Sequence, residues 1–393
     1  MKELTRMDAL DLARTQFAVT GSLHFLFVLL TLGLAPLVAI MHTRWTLSGA
    51  PEHERTVRFW GQVYVTNYAV GIVTGLVMEF QFGLSWSGLS RYAGDVFGAP
   101  LAMETLVAFF LESTFLGLWI FGWGRLPKWL HLACIWAVTL TAYASAWFIM
   151  TANSFLQNPA GAVERGGRLE LVDAAALFTN KTLVFSFPHV LSAGLFTAGM
   201  VLVGASAYRL RRGGEDAAFF TRSMRTGIVT AALGITLTVG FGYAQFGGIQ
   251  EGKFKGDTAA TPLALMMDVG NLMFFVAVFL MLPLVRFLPR WRWTHRLLMI
   301  LTPVPFVLAI CGWLARELGR QPWMVWKKLT VADAMSPGLT PGMITVSLVG
   351  FTAVLGLLAL TDYALIARLV RRGPRDLDLG AAAEERPAPA LSY

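Results

Sequence analysis

Several ligand-type residues stand in stretches otherwise suited only to lipid or a buried core. His24 lies in "GSLHFLFVLLTLG" (21–33), His189 in "FSFPHVLSAG", and Met266 with Met267 in "LALMMDVGN". Glu104 and Glu112 share "GAPLAMETLVAFFLESTF", and Glu317 sits in "GWLARELGRQPW". Imidazole and thioether both bind transition metals, and the soft thioether argues against magnesium or calcium. A carboxylate in hydrocarbon costs several kcal/mol unless it is neutral, paired or metal-bound, so function is the default reading for Glu104 and Glu112. Taken singly, a histidine near the end of an apolar run is ordinarily a hydrogen-bonder and a methionine ordinarily packs. His131 beside "PKW" reads that way, and His42, His53 and His295 read as loop or interface residues. Glu79 in "MEFQFG" reads equally as a structural partner, and Asp362 as an interfacial or paired carboxylate.

The elements that must hold these residues are membrane spans. The 393 residues are 55% hydrophobic and only 14% charged, too apolar for most soluble domains. Apolar runs long enough to cross about 30 Å of hydrocarbon recur along the chain. They are expected at 22–41, 62–82, 100–122, 130–152, 183–208, 226–246, 262–288, 297–315 and 343–367. The fold class is therefore an all-α integral membrane bundle of nine helices. The odd-numbered loops and the C-terminal tail carry 19 Lys and Arg, against 13 for the N-terminus and even-numbered loops. The positive-inside rule then puts the N-terminus outside and the C-terminus in the cytoplasm. The net charge of +8 is a topology signal rather than a nucleic-acid footprint. Residues 1–373 form one transmembrane domain, and 374–393, rich in Pro, Ala and charge, read as a disordered cytoplasmic tail. Cys134 and Cys311 lie inside spans and suggest neither disulfide nor metal site. The first apolar run is too long for a cleavable leader.

On this topology His24, Glu104, His189, Met266 or Met267, and Glu317 all fall in the outer third of the membrane. Glu112, eight residues beyond Glu104, lies about 12 Å deeper at 1.5 Å per residue. Two histidines, a methionine and carboxylates at one depth, among Trp and Phe, suit haem iron. Imidazole with thioether makes a low-spin site, and a single axial ligand leaves iron open to a gas. Glutamates beneath such a site would supply protons from the opposite side. A channel or transporter needs no such His/Met set.

At these residues the sequence resembles subunit I of the cytochrome bd terminal oxidases. The strings that carry the resemblance are "RTQFAVTGSLHFLFVLLTLG", "GLVMEFQFG", "GAPLAMETLVAFFLESTFLGLWIFGW", "LQNPAG" and "GWLARELGRQPW", in family order across almost the whole chain. The resemblance implies His24 as axial ligand of haem d, or of a third haem b in its place. It implies Glu317 as ligand of a high-spin haem b, and His189 with Met266 (or its neighbour Met267) as ligands of a low-spin haem b. Glu104 and Glu112 match the acidic pair of the oxygen-reducing end and proton route. Arg14, Trp313, Arg320 and Trp323 fall on positions around the haems. It also implies quinol and dioxygen as substrates, a homologous subunit II, a very small accessory subunit, and the bacterial cell membrane.

The departures cluster at the electron-donor end. Between the sixth and seventh spans the family usually carries a long quinol-holding loop, whereas "FGGIQEGKFKGDTAATP" is about seventeen residues. Its "QEGK" would put Lys253 on the quinol-linked lysine, with Asp257 as an acidic neighbour out of register by one; the plain alternative is a solvated Lys/Asp turn. The arginine usually found two residues before the ligating methionine is Ala264, and Asp268 has no counterpart. Quinol oxidation coupled to oxygen reduction is the leading expectation. An oxidase of the same family with a protein donor, or a haem-based gas sensor, are the alternatives.

Overall fold

The computed structural model describes residues 2–248, 253, 257–375 and 377–380. Helix α1 (Lys2–Ser48) is 47 residues long, well beyond the roughly 20 needed to cross hydrocarbon. α2 (Pro51–Leu84) starts on a proline, whose missing N–H is harmless in a first turn. α3 (Ser87–Met103) passes through a π-helical turn, Glu104–Phe109, into α4 (Phe110–Phe121). α5 (Lys128–Gln157) leads to an antiparallel hairpin, β1 (Ala162–Arg165) and β2 (Arg168–Leu171), and to the short α6 (Ala174–Phe178). Then come α7 (Lys181–Arg212), α8 (Ala217–Ala244) and α9 (Asp257–Phe275), the last extended by a second π turn at Val276–Met281. α10 (His295–Leu301) and α11 (Val304–Leu318) precede a second hairpin, β3 (Trp323–Val325) and β4 (Leu329–Thr330), then α12 (Val331–Ala334) and α13 (Pro341–Arg372).

The helix ends follow from side chains at their boundaries. Asn180 accepts a hydrogen bond from the Thr182 amide at 3.0 Å and starts α7; Thr340 does the same for α13 through Met343 at 3.3 Å. Gly213 and Gly373 close α7 and α13 at φ of 76° and 81°, where a Cβ would be strained.

Among the described residues, nine helices are long and apolar enough to cross a membrane, so the multi-pass helical reading stands. Large apolar side chains such as Phe121, Val346 and Leu360 are more than 70% exposed, as suits a lipid-facing surface. Differences from expectation are local. The seventh span ends at Met281 rather than 288. "LPLVRFLPR" forms turns instead, because Pro283 and Pro289 supply no amide to continue a helix. The two hairpins, each built from short strands, were invisible to a hydropathy reading.

Close helix approach comes from glycine. A Cβ on Gly33 of α1 would lie 2.0 Å from the Gly194 carbonyl oxygen of α7, and one on Gly234 of α8 would lie 2.4 Å from the Phe196 amide nitrogen of α7. Within lipid such small-residue seams let backbones pack directly. Gly33→Val should therefore force α1 from α7, at an overpacking cost of about 1–3 kcal/mol or more. The thermal midpoint of the purified complex would fall; an unchanged midpoint would show that the seam can open freely.

Three expectations are corrected. The first tail residues are packed, not disordered: Leu379 is buried and Gly380 lies against the Trp123 ring. Arg375 reaches Glu215 at 2.7 Å and Asp216 at 3.4 Å, and Gln62 donates to Asp378 at 2.8 Å. Apolar and charged partners together outweigh the composition bias there; 381–393 lie outside the described residues. His42 and His295 are fully buried. The Trp119 indole donates to His42 Nδ1 at 2.9 Å, and the His295 ring bonds the Leu288 carbonyl at 3.1 Å. Asp362 is also fully buried, and neither carboxyl oxygen has a hydrogen-bond partner among the described residues.

Candidate functional site

The helices enclose one large cavity of about 610 Å³ whose lining includes His24, Glu104, Glu112, His189, Met266 and Glu317. Residues up to about 290 positions apart in sequence thus meet around one space. Arg14, Trp313, Arg320, Lys253 and Met267 line it as well.

His24 sits in mid-α1 with its Nδ1 2.9 Å from Thr74 Oγ1 of α2. The Thr74 hydroxyl proton is already given to the Gly71 carbonyl at 2.8 Å. A hydroxyl has one proton, so Thr74 accepts from His24 Nδ1–H and the lone pair is left on Nε2. His189 reaches the same tautomer by another route. Its Nδ1 lies 2.8 Å from the Thr238 carbonyl of α8, which can only accept. Ordinary metal-binding histidines are held in this way, one ring nitrogen donating so that the other faces the metal. Glycine makes room for both the ring and its neighbours. A Cβ on Gly242 would lie 3.2 Å from His189 Cε1, and one on Gly21 would lie 2.6 Å from the Trp313 indole. On α9 the Met266 sulphur rests against Gly312 of α11, 2.6 Å from where a Cβ would be.

The acidic wall comes from the kinked third span. Ser145 Oγ donates to Glu104 Oε1 at 2.7 Å, and Thr105 Oγ1 lies 3.2 Å from Glu104 Oε2 and 3.1 Å from Glu79 Oε1. One hydroxyl proton serves two carboxyl groups, an arrangement that accommodates a proton shared between Glu79 and Glu104. Glu112 is buried, with Oε1 unpartnered among the described residues and Tyr68 beside it. The helix between Glu104 and Glu112 is not regular. The six residues from Glu104 to Phe109 form the π turn, which advances less per residue and rotates Glu112 back toward the face of Glu104. Both carboxyls therefore line the cavity, where a regular helix would set them roughly 80° apart.

At the other end, Glu317 Oε2 pairs with Arg320 at 2.5 Å, and Asn153 Nδ2 donates to Glu317 Oε1 at 3.4 Å. Arg320 Nε donates to the Trp323 carbonyl at 3.2 Å. Trp323 is not among the cavity-lining residues: it acts through its backbone, from the turn that leaves α11. Arg14 lines the cavity and pairs with Asp11 at 3.3 Å. Lys253 is no solvated turn residue. Its Nζ donates to the Gln157 carbonyl at 2.6 Å and to Gln157 Oε1 at 3.1 Å, over the Trp326 ring at 4.8 Å. Burial first, then the charges of Arg316 and Arg320, push the Lys253 amine down to about 7. The Asp257 side chain lies outside the described residues. Asp268 is exposed on α9.

The sequence matches cytochrome bd terminal oxidase subunit I over residues 12–252 and 259–374. The chain belongs to that family. A cytochrome bd ubiquinol oxidase subunit 1 of Bacillus subtilis is 34% identical over 93% of this chain and 94% of its own length. A cytochrome bd-II ubiquinol oxidase subunit 1 of Escherichia coli is 45% identical over 60% of this chain and 46% of its own. The solved bd oxidase of Geobacillus thermodenitrificans shares the fold, with a TM-score of 0.78 over 94% of this chain and 100% of that one at 21% identity.

Cytochrome bd membership implies haem, and the cavity suits it. Among the described residues no three His, Cys, Asp or Glu side chains group as a metal cluster. Iron already held by a porphyrin needs only one or two protein ligands at a time. Nε and Nη2 of Arg316 and Nη1 of Arg320 are enclosed without partners among the described residues. Such fixed donors complement carboxylates like those of haem. Arg316 and Gln157 were missed by sequence reasoning. Arg316 stands inside the quoted "GWLARELGRQPW", but an arginine near a span end reads as a topology signal. Gln157 stands in "LQNPAG" and carried no chemical signal of its own.

Proposed function

We propose that the chain is the haem-carrying catalytic subunit of a quinol:oxygen oxidoreductase of the bacterial cell membrane, N-terminus outside. The observation that carries this reading is the matched pair of histidines, His24 and His189, each tied at Nδ1 and each lining the cavity that Glu104 and Glu112 also line. The quinol follows the names of the relatives, ubiquinol for the two described above, menaquinol for a putative oxidase subunit I of Bacillus subtilis at 23% identity. Bound haem supplies the electron-carrying iron and the place where dioxygen is reduced to water. His24 holds haem d, or a third haem b; Glu317 the high-spin haem b; His189 with Met266 the low-spin haem b. The seat of the Met266 sulphur on α11 favours it over Met267.

The protein's own part is to bind, orient and move protons. Trp313 and Arg320 wall the oxygen end, and Arg14 lends charge there. Glu112 receives protons from the cytoplasmic side and passes them to Glu104, whose Thr105 link to Glu79 gives the proton a second resting place. Because protons and electrons approach from opposite faces, turnover would be electrogenic without a pump. A homologous subunit II and a very small accessory subunit complete the complex. The deciding experiment is a reduced-minus-oxidised spectrum with haem extraction, followed by oxygen consumption with quinol and with reduced c-type cytochrome. A far-red band with two haem b per haem d and quinol-driven consumption are expected. Consumption with the cytochrome alone would favour the protein-donor oxidase, to which the short loop points. No consumption with any donor would leave the sensor.

Lys253 is the candidate quinol contact. With its amine near 7 it is charged below neutrality and free to accept a proton above it. The unfolded chain keeps that proton up to the ordinary amine range, so the burial cost is full below about pH 7 and declines as pH rises. The KM for quinol should fall as pH rises through 7, and Lys253→Met should erase that step. Identical profiles for variant and wild type would remove Lys253 from the donor site.

A further inference from the structure

Helix α11 carries two chemical stripes. Trp313 and Glu317 form one, with Trp313 over Gly21 of α1, one turn before His24. Gly312 and Arg316 form the other, since residues four apart share a helix face. The Met266 sulphur is seated on Gly312, so Arg316 stands about 6 Å further along the axis at 1.5 Å per residue. Arg316 is also an electrostatic neighbour of both His189 and Lys253. Its backbone is fixed by Gln157, whose side chain donates to the Arg316 carbonyl at 3.2 Å. Gln157 in turn accepts from Lys253.

The guanidinium has no such arrangement. Its Nε and Nη2 are enclosed with no hydrogen-bond partner among the described residues. An arginine cannot shed its proton as a lysine can, so those donors carry an unrelieved desolvation penalty unless an anion meets them. Arg320 by contrast is engaged by Glu317 and the Trp323 carbonyl. Among the described residues named at this end, two permanent cations, Arg316 and Arg320, face one carboxylate, Glu317, so a further anion is called for, carried on an apolar body that fits between helices.

We infer that Arg316 binds a carboxylate of the haem seated between His189 and Met266. The inference rests on the haem reading above and deepens it. The arginine expected two residues before the methionine is Ala264 here, so the cation reaches this haem from α11 instead of α9. The fork geometry of a guanidinium matches a carboxylate in a bidentate pair. Besides anchoring the group, a fixed positive charge beside it favours the reduced iron, which carries one less positive charge than the oxidised form.

The test is a redox titration of the intact complex, following the visible band of the low-spin haem, in wild type, Arg316→Gln and Arg316→Lys. Arg316→Gln should shift the equilibrium toward oxidised iron by roughly tenfold, a midpoint about 59 mV lower, while Arg316→Lys stays close to wild type. An unmoved midpoint in Arg316→Gln overturns the inference. Should that variant not assemble, Arg316→Met, of similar length but uncharged, carries the same titration, and an unmoved midpoint there overturns the inference. A wild-type complex without any low-spin haem would instead fail the underlying haem reading, which separates the two outcomes.

Discussion

Replacing His24 by alanine should abolish oxygen consumption and remove the band of the oxygen-site haem, while the low-spin haem at His189 persists. The selectivity follows from the geometry. His24 hangs from α1 and takes its orientation from Thr74 of α2, whereas His189 belongs to α7 and takes its orientation from α8. The two hydrogen bonds that orient the rings share no residue. Removing one imidazole should therefore leave the other's tautomer and aim intact. Thr74 offers a graded version of the same experiment. Thr74→Ala removes the acceptor for Nδ1–H, and losing such an outer partner costs roughly 10–100-fold in metal affinity or activity. Thr74→Ser keeps the hydroxyl and should keep the haem. A His24→Ala complex that retains the oxygen-site band would show that another side chain is the ligand.

The reason these candidate ligands stand out in the sequence is the solvent they sit in. Hydrocarbon makes each intramembrane His or Glu expensive, so the few that occur stand out against apolar spans that are themselves easy to count. Long apolar runs found the nine spanning helices, but not where each helix ends. α3 starts at Ser87, well before the apolar stretch, because polar helix ends continue beyond the hydrocarbon. The π turn at Glu104–Phe109 left no mark in composition, and it decides where Glu112 points. Packing of the first tail residues on Trp123 and Asp216 was equally hidden, since charge and proline content describe a chain without its partners. Arg316 shows the sharpest limit. In sequence it is one more basic residue near a span end. Only the fold reveals that it shares a face with Gly312 and that its Nε and Nη2 have no hydrogen-bond partner among the described residues.

The second large effect is expected at Glu112. Glu112→Gln should slow oxygen reduction by about 10²–10⁴-fold, the usual contribution of a positioned proton-transfer group, with haem content near normal. Glutamine keeps the shape and the hydrogen-bonding capacity of the side chain but cannot exchange a carboxyl proton. The loss therefore reports proton delivery rather than packing, and Glu112→Asp should recover part of the rate. Position supports the assignment: Glu112 is buried, its Oε1 lacks a partner among the described residues, and Tyr68 stands beside it. An open acceptor of this kind is what a passing proton needs, in contrast to Glu317, whose two oxygens are engaged by Arg320 and Asn153. Tyr68→Phe should give a milder slowing if the hydroxyl extends the same route. Turnover per haem is the quantity to measure. A Glu112→Gln complex that loses haem yet turns over normally per remaining haem would assign the residue to assembly and leave the proton route to Glu79 and Glu104.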